Sequence, residues 1–192
     1  MLEIELNPFT ELQTPRLTLR QVKPADAPEI LFFRSDDQIM QYLDRDKLQT
    51  EAEALEFITK YDKAIQENEG INWGICLREN PEKLIGTIGL WRFIKQNHRA
   101  EIGYTIHPDF WNQGYASEAL KAVLHYGFQT LKLHSVEANI NPGNQASRRL
   151  LEKHGFVQEA YFHEDYFFNG QFLDSVILSL IDPATRQRPV TK

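Results

Sequence analysis

The stretch His107-Pro-Asp-Phe-Trp-Asn-Gln-Gly-Tyr-Ala-Ser-Glu-Ala-Leu120 constrains this chain more than any other. It closes an alternating run, turns at Gly114, and from Ala116 opens a helix. Its apolar positions, Ala119, Leu120, Val123, Leu124, Phe128 and Leu131, recur at helical spacing. The first turn of a helix presents backbone N–H groups without intrahelical partners at the positive end of the helix dipole. Gly114 lets a ligand approach the backbone closely, and Ala116 and Ser117 are small, so the turn suits a pyrophosphate. No Gly-Lys-Ser/Thr follows, which excludes a Walker loop, and the glycine triplet of a dinucleotide fingerprint is missing. An ordinary strand–turn–helix connection also accepts a glycine here, so the neighbouring segments have to decide.

Those neighbours read as alternating strands and helices. Residues 16–22 alternate as a strand, and residues 24–33 read as a helix with Pro28 near its first turn. Thr50 and Glu53 form a capping box before the stripe Leu55, Ile58, Tyr61 and Ile65. Strands are predicted over 72–78, 84–93, 100–107 and 134–140, with turns at 79–83 and 95–99. A helix over 144–154 ends at Gly155, and Asn169-Gly170 marks a hairpin between 157–168 and 171–180. The pattern is α+β, one domain over residues 1–181 with a mixed, mostly antiparallel central sheet flanked by about four helices. A polar tail follows over 182–192.

At 192 residues the chain holds one substantial core. Its net charge of −6 and lack of a Lys/Arg run argue against nucleic acid as a partner. The opening residues lack a signal-peptide pattern and no segment approaches a membrane span, so a cytoplasmic protein with no membrane partner is expected. Cys76 is the only cysteine and lies in an apolar run, Trp73-Gly-Ile-Cys-Leu77, where packing is expected. The six histidines show no metal-ligand spacing, so no metal is expected. Trp73, Trp91, Phe32 and Phe33 read as core.

Four stretches in this order carry a resemblance to a known family. They are Thr14-Pro-Arg-Leu-Thr-Leu-Arg20, Ala100-Glu-Ile-Gly-Tyr104, Trp111-Asn-Gln-Gly-Tyr-Ala-Ser-Glu-Ala-Leu120 and Asn144-Gln-Ala-Ser-Arg-Arg-Leu-Leu-Glu-Lys-His-Gly-Phe156. With them the chain resembles the GNAT superfamily of acetyl-CoA-dependent N-acetyltransferases, and within it the branch that acetylates ribosomal-protein N-termini. The resemblance implies an acyl-CoA N-acyltransferase fold with acetyl-CoA as co-substrate. Backbone N–H groups of Asn112, Gln113, Gly114, Tyr115, Ala116 and Ser117 would hold the pyrophosphate of coenzyme A. The strand end at Thr105, Ile106 and His107 would pair with the pantetheine arm. Asn139 and Asn144 are further contacts, although Asn144 is also a good N-cap. The family loop reads Gln/Arg-x-x-Gly-x-Gly/Ala; Gly114 and Ala116 match, but Trp111 stands where Gln or Arg is expected.

The resemblance also implies an amine acceptor, either a ribosomal or other protein N-terminus or a small amine such as a polyamine or antibiotic. A non-catalytic acyl-CoA-binding module is the alternative outside enzymes. Ser147 stands where this branch carries a serine aimed at the coenzyme A sulfur, the general acid; it also fits as a first-turn helix serine. Glu101 is the candidate base, with a structural pairing to a cross-strand Arg or Lys as the other reading. Glu164 and Tyr166 are alternatives, Tyr166 standing where related enzymes place a carboxylate. A backbone N–H near Thr105–His107 would meet the oxyanion. Residues 24–69 and the hairpin at 161–172 would build the acceptor side. There Asp36, Asp37, Asp44 and Asp46 offer negative charge to an ammonium group, or form a solvated face. A monomer or a homodimer is compatible with all of this.

Overall fold

The computed structural model describes residues 2–186. Its backbone is a sheet of eight strands: β1 (Leu12–Gln13), β2 (Leu17–Gln21), β3 (Gly70–Leu77), β4 (Asn80–Ile94), β5 (Arg99–Ile106), β6 (Ser135–Ile140), β7 (Val157–Phe168) and β8 (Gln171–Ile181). They lie in the order β1-β2-β3-β4-β5-β6-β8-β7, and every neighbouring pair is antiparallel except β5–β6. Five helices cover it: α1 (Ala27–Phe33), α2 (Asp37–Met40), α3 (Glu51–Gln66), α4 (Tyr115–His125) and α5 (Gln145–Lys153). The α+β class and the mixed, mostly antiparallel sheet are therefore as expected.

Two apolar clusters sandwich the sheet. Ala119, Leu120, Val123 and Leu124 of α4 bury against Ile71, Trp73 and Ile75 of β3 and Ile88 and Leu90 of β4. Each large apolar side chain so buried contributes about 1.5–3 kcal/mol. On the other side Ile30 and Phe33 of α1 and Ala54 and Ile58 of α3 pack with Cys76 and Leu84. Burial lifts the Cys76 thiol to about 11, in keeping with a packing role.

Local details depart from the sequence expectations where tertiary contacts act. The chain reverses at residues 78–79, with Leu77 opposite Asn80, instead of across 79–83. The reason is Arg20, whose guanidinium is paired with Asp26 and also donates to the carbonyls of Pro81 and Glu82, holding those polar residues extended. The short α2, capped by Asp36, and β1 carry too few residues to show a period. Helix α4 runs on into a π-helical turn (Tyr126–Thr130), which keeps Phe128 and Leu131 buried. Of the expected tail, Asp182 is buried and its amide donates to the His134 carbonyl, while residues 187–192 lie outside the described residues. No helix among the described residues is long and apolar enough to cross a membrane.

The parallel pair is the feature that makes a site. Strands β5 and β6 share only three rungs, Arg99, Ala100 and Glu101 beside Ser135, Val136 and Glu137. Beyond Glu101 they separate, although β5 stays paired with β4 and β6 with β8. The parting strands open a wedge into the middle of the sheet.

Candidate active site

The wedge belongs to a cleft of about 1460 Å³. Its walls include Glu101, Thr105, Ile106, Asn112, Gly114, Tyr115, Ala116, Ser117, Asn139, Asn144 and Ser147, so the chain brings most of the expected site residues together. His107, Gln113 and Tyr166 do not line it.

The register explains what the β5 edge offers. The His107 amide donates to the Ile85 carbonyl at 2.8 Å, in the β4 ladder. Alternation then turns the main-chain groups of Thr105 and His107 toward β4, and those of Tyr104 and Ile106 toward the gap. The expected main-chain contacts at Thr105 and His107 thus fall to Tyr104 and Ile106. The His107 ring stacks on Phe32, centroids 4.6 Å apart, and its Nδ1 accepts from the Asp109 amide, so this histidine shapes the turn that follows β5. The Ile106 carbonyl accepts from Trp111 Nε1 at 2.7 Å. Trp111, the departure from the family pattern, therefore ties the loop to the strand edge.

The loop then delivers anion-binding amides. Asn112 (φ 60°) and Gly114 (φ 83°) are both left-handed, a conformation that glycine adopts without strain. The first helical bond of α4 runs from the Glu118 amide to the Gly114 carbonyl, so the amides of Tyr115, Ala116 and Ser117 have no intrahelical acceptor. A carboxylate at Glu118 would repel an anion here, but it is neutralised. Its Oε1 accepts from Thr14 Oγ1 and the Arg16 amide, and its Oε2 from Arg16 Nε at 2.6 Å. Although burial pushes its pKa up, these donors outweigh it and hold the carboxyl below the usual glutamate value. Arg16 also donates to the Gln113 carbonyl and lies over the Tyr115 ring, 4.4 Å from its centroid. Gln113 turns its side chain back to the Asp109 carbonyl. Ser117 Oγ lies 2.7 Å from His154 Nε2, which sits just past α5, leaving the Ser117 amide for a ligand.

Across the wedge, Asn144 caps α5 by accepting from the Ser147 amide at 3.0 Å. That bond fixes Ser147 Oγ 2.7 Å from the hydroxyl of Tyr104. Burial raises the Tyr104 phenol to about 12, so it stays protonated at neutral pH. Asn139 has no side-chain hydrogen bond among the described residues. Glu101 is buried, and its Oε2 accepts from Arg92 Nη1 at 2.8 Å, the cross-strand pairing that is one of its two readings. Side chains alternate across a strand, so Tyr104 and Ser147 lie on one face of the sheet and Glu101 and Thr105 on the other. Gly103 leaves room on that second face, where a Cβ would meet the Trp91 ring at 2.4 Å. Trp91 is half-buried and lines the cleft, not the core.

At the acceptor end the four aspartates and Tyr166 stand outside the main cleft. Asp36 caps α2, Asp37 pairs with Lys47, and Asp44 accepts from the Tyr166 hydroxyl and from Asn141 Nδ2. Asp46 lines a separate small hollow. Tyr166, bound to Asp44 and with its phenol pushed upward by burial and that carboxylate, closes the hairpin onto residues 41–46 from outside the cleft. Glu164 is held outside the cleft by its amide bond to Asp174. Sequence reasoning missed Tyr104, although it stands in the Ala100–Tyr104 stretch, and also Arg34, Arg45 and Tyr61 of the cleft wall.

A parted parallel pair beside a helix N-terminus with three open amides fits coenzyme A, and comparison with known proteins agrees. Residues 16–157 match the Acetyltransferase (GNAT) domain family. The chain belongs to the GNAT acetyltransferase family. The N-acetyltransferase YoaA of Bacillus subtilis (strain 168), itself uncharacterized, is 38% identical over 175 residues, 91% of this chain and 98% of the relative. A putative ribosomal N-acetyltransferase of the same organism, YdaF, is 27% identical over 90% of this chain and 95% of its own length. A spermidine N-acetyltransferase from Vibrio cholerae, solved in complex with CoA and spermine, superposes with a TM-score of 0.76. It is 26% identical and covers 88% of this chain and 96% of its own. This GNAT protein is an acetyl-CoA-dependent N-acetyltransferase whose acceptor is an amine.

Proposed function

We propose that the acceptor is an α-amino group at a protein N-terminus. The observation that carries this reading is the distribution of Glu101 and Ser147 on opposite faces of the sheet at the point where β5 and β6 part. Bound acetyl-CoA supplies the activated acetyl group. The amides of Tyr115, Ala116 and Ser117 hold its pyrophosphate, and the main-chain groups of Tyr104 and Ile106 orient the arm and polarise the carbonyl. The amine enters on the face of Glu101. As the N–C bond forms and the C–S bond breaks, Ser147 Oγ donates its proton on the other face to the departing CoA thiolate, and Tyr104 donates a hydrogen bond to Ser147 Oγ.

The base is modest. Arg92 occupies Oε2 of Glu101, which leaves Oε1 to accept a proton through water. An α-amino group, with a pKa of about 7.7–8.0, is partly neutral at pH 7, whereas a lysine-like amine near 10.4 must be deprotonated at a cost of roughly 4–5 kcal/mol. With Arg92 on one oxygen of Glu101, an acceptor that is already partly neutral suits this site better than a polyamine. The two relatives named for their acceptors use different amines at similar identity, so the choice rests on the site itself.

The test is an acceptor panel with the full chain and acetyl-CoA: a short peptide with a free N-terminus, the same peptide N-terminally blocked but carrying a lysine, and spermidine. Acetylation of the free N-terminus, with kcat/KM rising to a plateau above about pH 8, is the expected result. Spermidine acetylated faster than the peptide would remove the proposal.

A further inference from the structure

Arg34 and Arg45 line the cleft without an ion pair to a carboxylate among the described residues; Arg45 is exposed and also borders the small hollow lined by Asp37, Asp44 and Asp46, whereas Arg34 is half-buried. Elsewhere Arg16, Arg20, Arg92 and Arg99 each hold a Glu or Asp in an ion pair. Arg34 follows α1, and its carbonyl accepts from the Leu48 amide at 3.0 Å, fixing the loop that carries Arg45. Its guanidinium is half-buried and stacks on Phe57 of α3, 4.2 Å from the ring centroid. One turn along, Tyr61 sits edge-on to Phe57 and meets Thr87 of β4. Thr87 is opposite Thr105, which places this wall on the face of Glu101 and away from the Tyr104–Ser147 pair.

A guanidinium partly withdrawn from water and left without an acceptor is unfavourable unless a ligand completes it. Burial lowers the Arg34 pKa, the neighbouring Arg45 lowers it further, and no carboxylate acts on it. The Phe57 ring lies against the guanidinium, and a planar guanidinium matches a carboxylate with two parallel bonds. None of Asp36, Asp37, Asp44 and Asp46 lines the cleft, and the first three are engaged outside it.

We infer that Arg34, assisted by Arg45, selects an acceptor that bears a carboxylate close to its primary amine. Two sources present that chemistry: a peptide N-terminus opening on an acidic residue, and a free acidic amino acid. The inference rests on the acetyltransferase reading and names the acceptor class of the same site.

The experiment compares a peptide opening on glutamate, its twin opening on glutamine, free glutamate and spermidine, with the parent and with Arg34→Gln and Arg34→Lys. Turnover is measured together with calorimetric binding of each acceptor to the CoA-loaded protein, so the outcome does not depend on turnover alone. The parent is expected to prefer the glutamate peptide over its twin at least tenfold, chiefly in KM. Arg34→Gln should erase that preference with the CoA dissociation constant unchanged, and Arg34→Lys should restore part of it. The ratio of peptide to free glutamate identifies the source. Equal use of the twin peptides, stronger binding of spermidine, or a preference that survives Arg34→Gln would overturn the inference while leaving the enzyme intact. A parent that binds no CoA would overturn the acetyltransferase reading itself, and the inference with it.

Discussion

The hydroxyl of Tyr104 and Oγ of Ser147 lie 2.7 Å apart across the gap between β5 and α5, joining the strand edge to the helix that faces it. Neither atom has another side-chain partner among the described residues, so each positions the other. Ser147→Ala should lower turnover at least tenfold with cofactor affinity preserved. Tyr104→Phe should also cost about tenfold, because Ser147 then loses the neighbour that orients it. The double variant should cost little more than the worse single one, since the two act as a unit. Fully multiplicative losses, read from release of free CoA thiol, would mean that they act separately.

Trp111 anchors the loop through its indole donor to the Ile106 carbonyl. Trp111→Phe keeps the ring but removes that bond, worth about 1 kcal/mol, so Tm should fall by roughly 2–4 °C. The cofactor should bind several-fold more weakly, because the amides that follow are no longer held in register with the strand edge. A variant with unchanged cofactor affinity would show that the loop is fixed by other contacts.

Glu118 links the Thr14–Arg16 arm to the first turn of α4. Its pKa is depressed in the folded state, so the stability it contributes is present above the unfolded value of about 4.3 and is lost as pH falls through the folded value. The difference in unfolding free energy between the parent and Glu118→Gln should be largest at neutral pH. It should shrink on acidification below about pH 4.3. A difference independent of pH would assign the arm's docking to neutral contacts. At pH 7, Arg16→Met should weaken CoA binding, since it leaves the Glu118 charge beside the pyrophosphate site.

Acetyl-CoA at about 100 times its dissociation constant contributes ~2.7 kcal/mol to stability. For a chain of this size that should raise Tm by roughly 5–10 °C. No rise at millimolar acetyl-CoA would break the link between this cleft and its cofactor.

What the sequence disclosed and what it withheld follow from the range of the forces involved. The α4 stripe, the Thr50 cap and the Asn169-Gly170 turn are local signals, and each element appears where its own residues place it. The phosphate loop was legible for the same reason, since Gly114 and the small residues after it lie in one stretch. The acceptor wall was not. Arg34 faces Phe57 and Asp44 meets Tyr166 only after folding, and no spacing in the chain encodes either contact. The run of aspartates allowed either attraction of an ammonium group or a solvated face, and in the folded chain none of the four lines the cleft, where Arg34 and Arg45 do. Which main-chain groups of Thr105–His107 face the gap was not legible either, because only the ladder partner Ile85 shows which way the His107 amide turns.

The three-rung parallel pairing has a consequence beyond binding. A sheet that stops short of its own neighbour leaves the main-chain groups of Tyr104 and the amide of Ile106 facing a gap, the Ile106 carbonyl being already taken by Trp111. A cofactor arm laid into that gap would add the missing strand pairing, so the empty protein should be the form that aggregates first on heating.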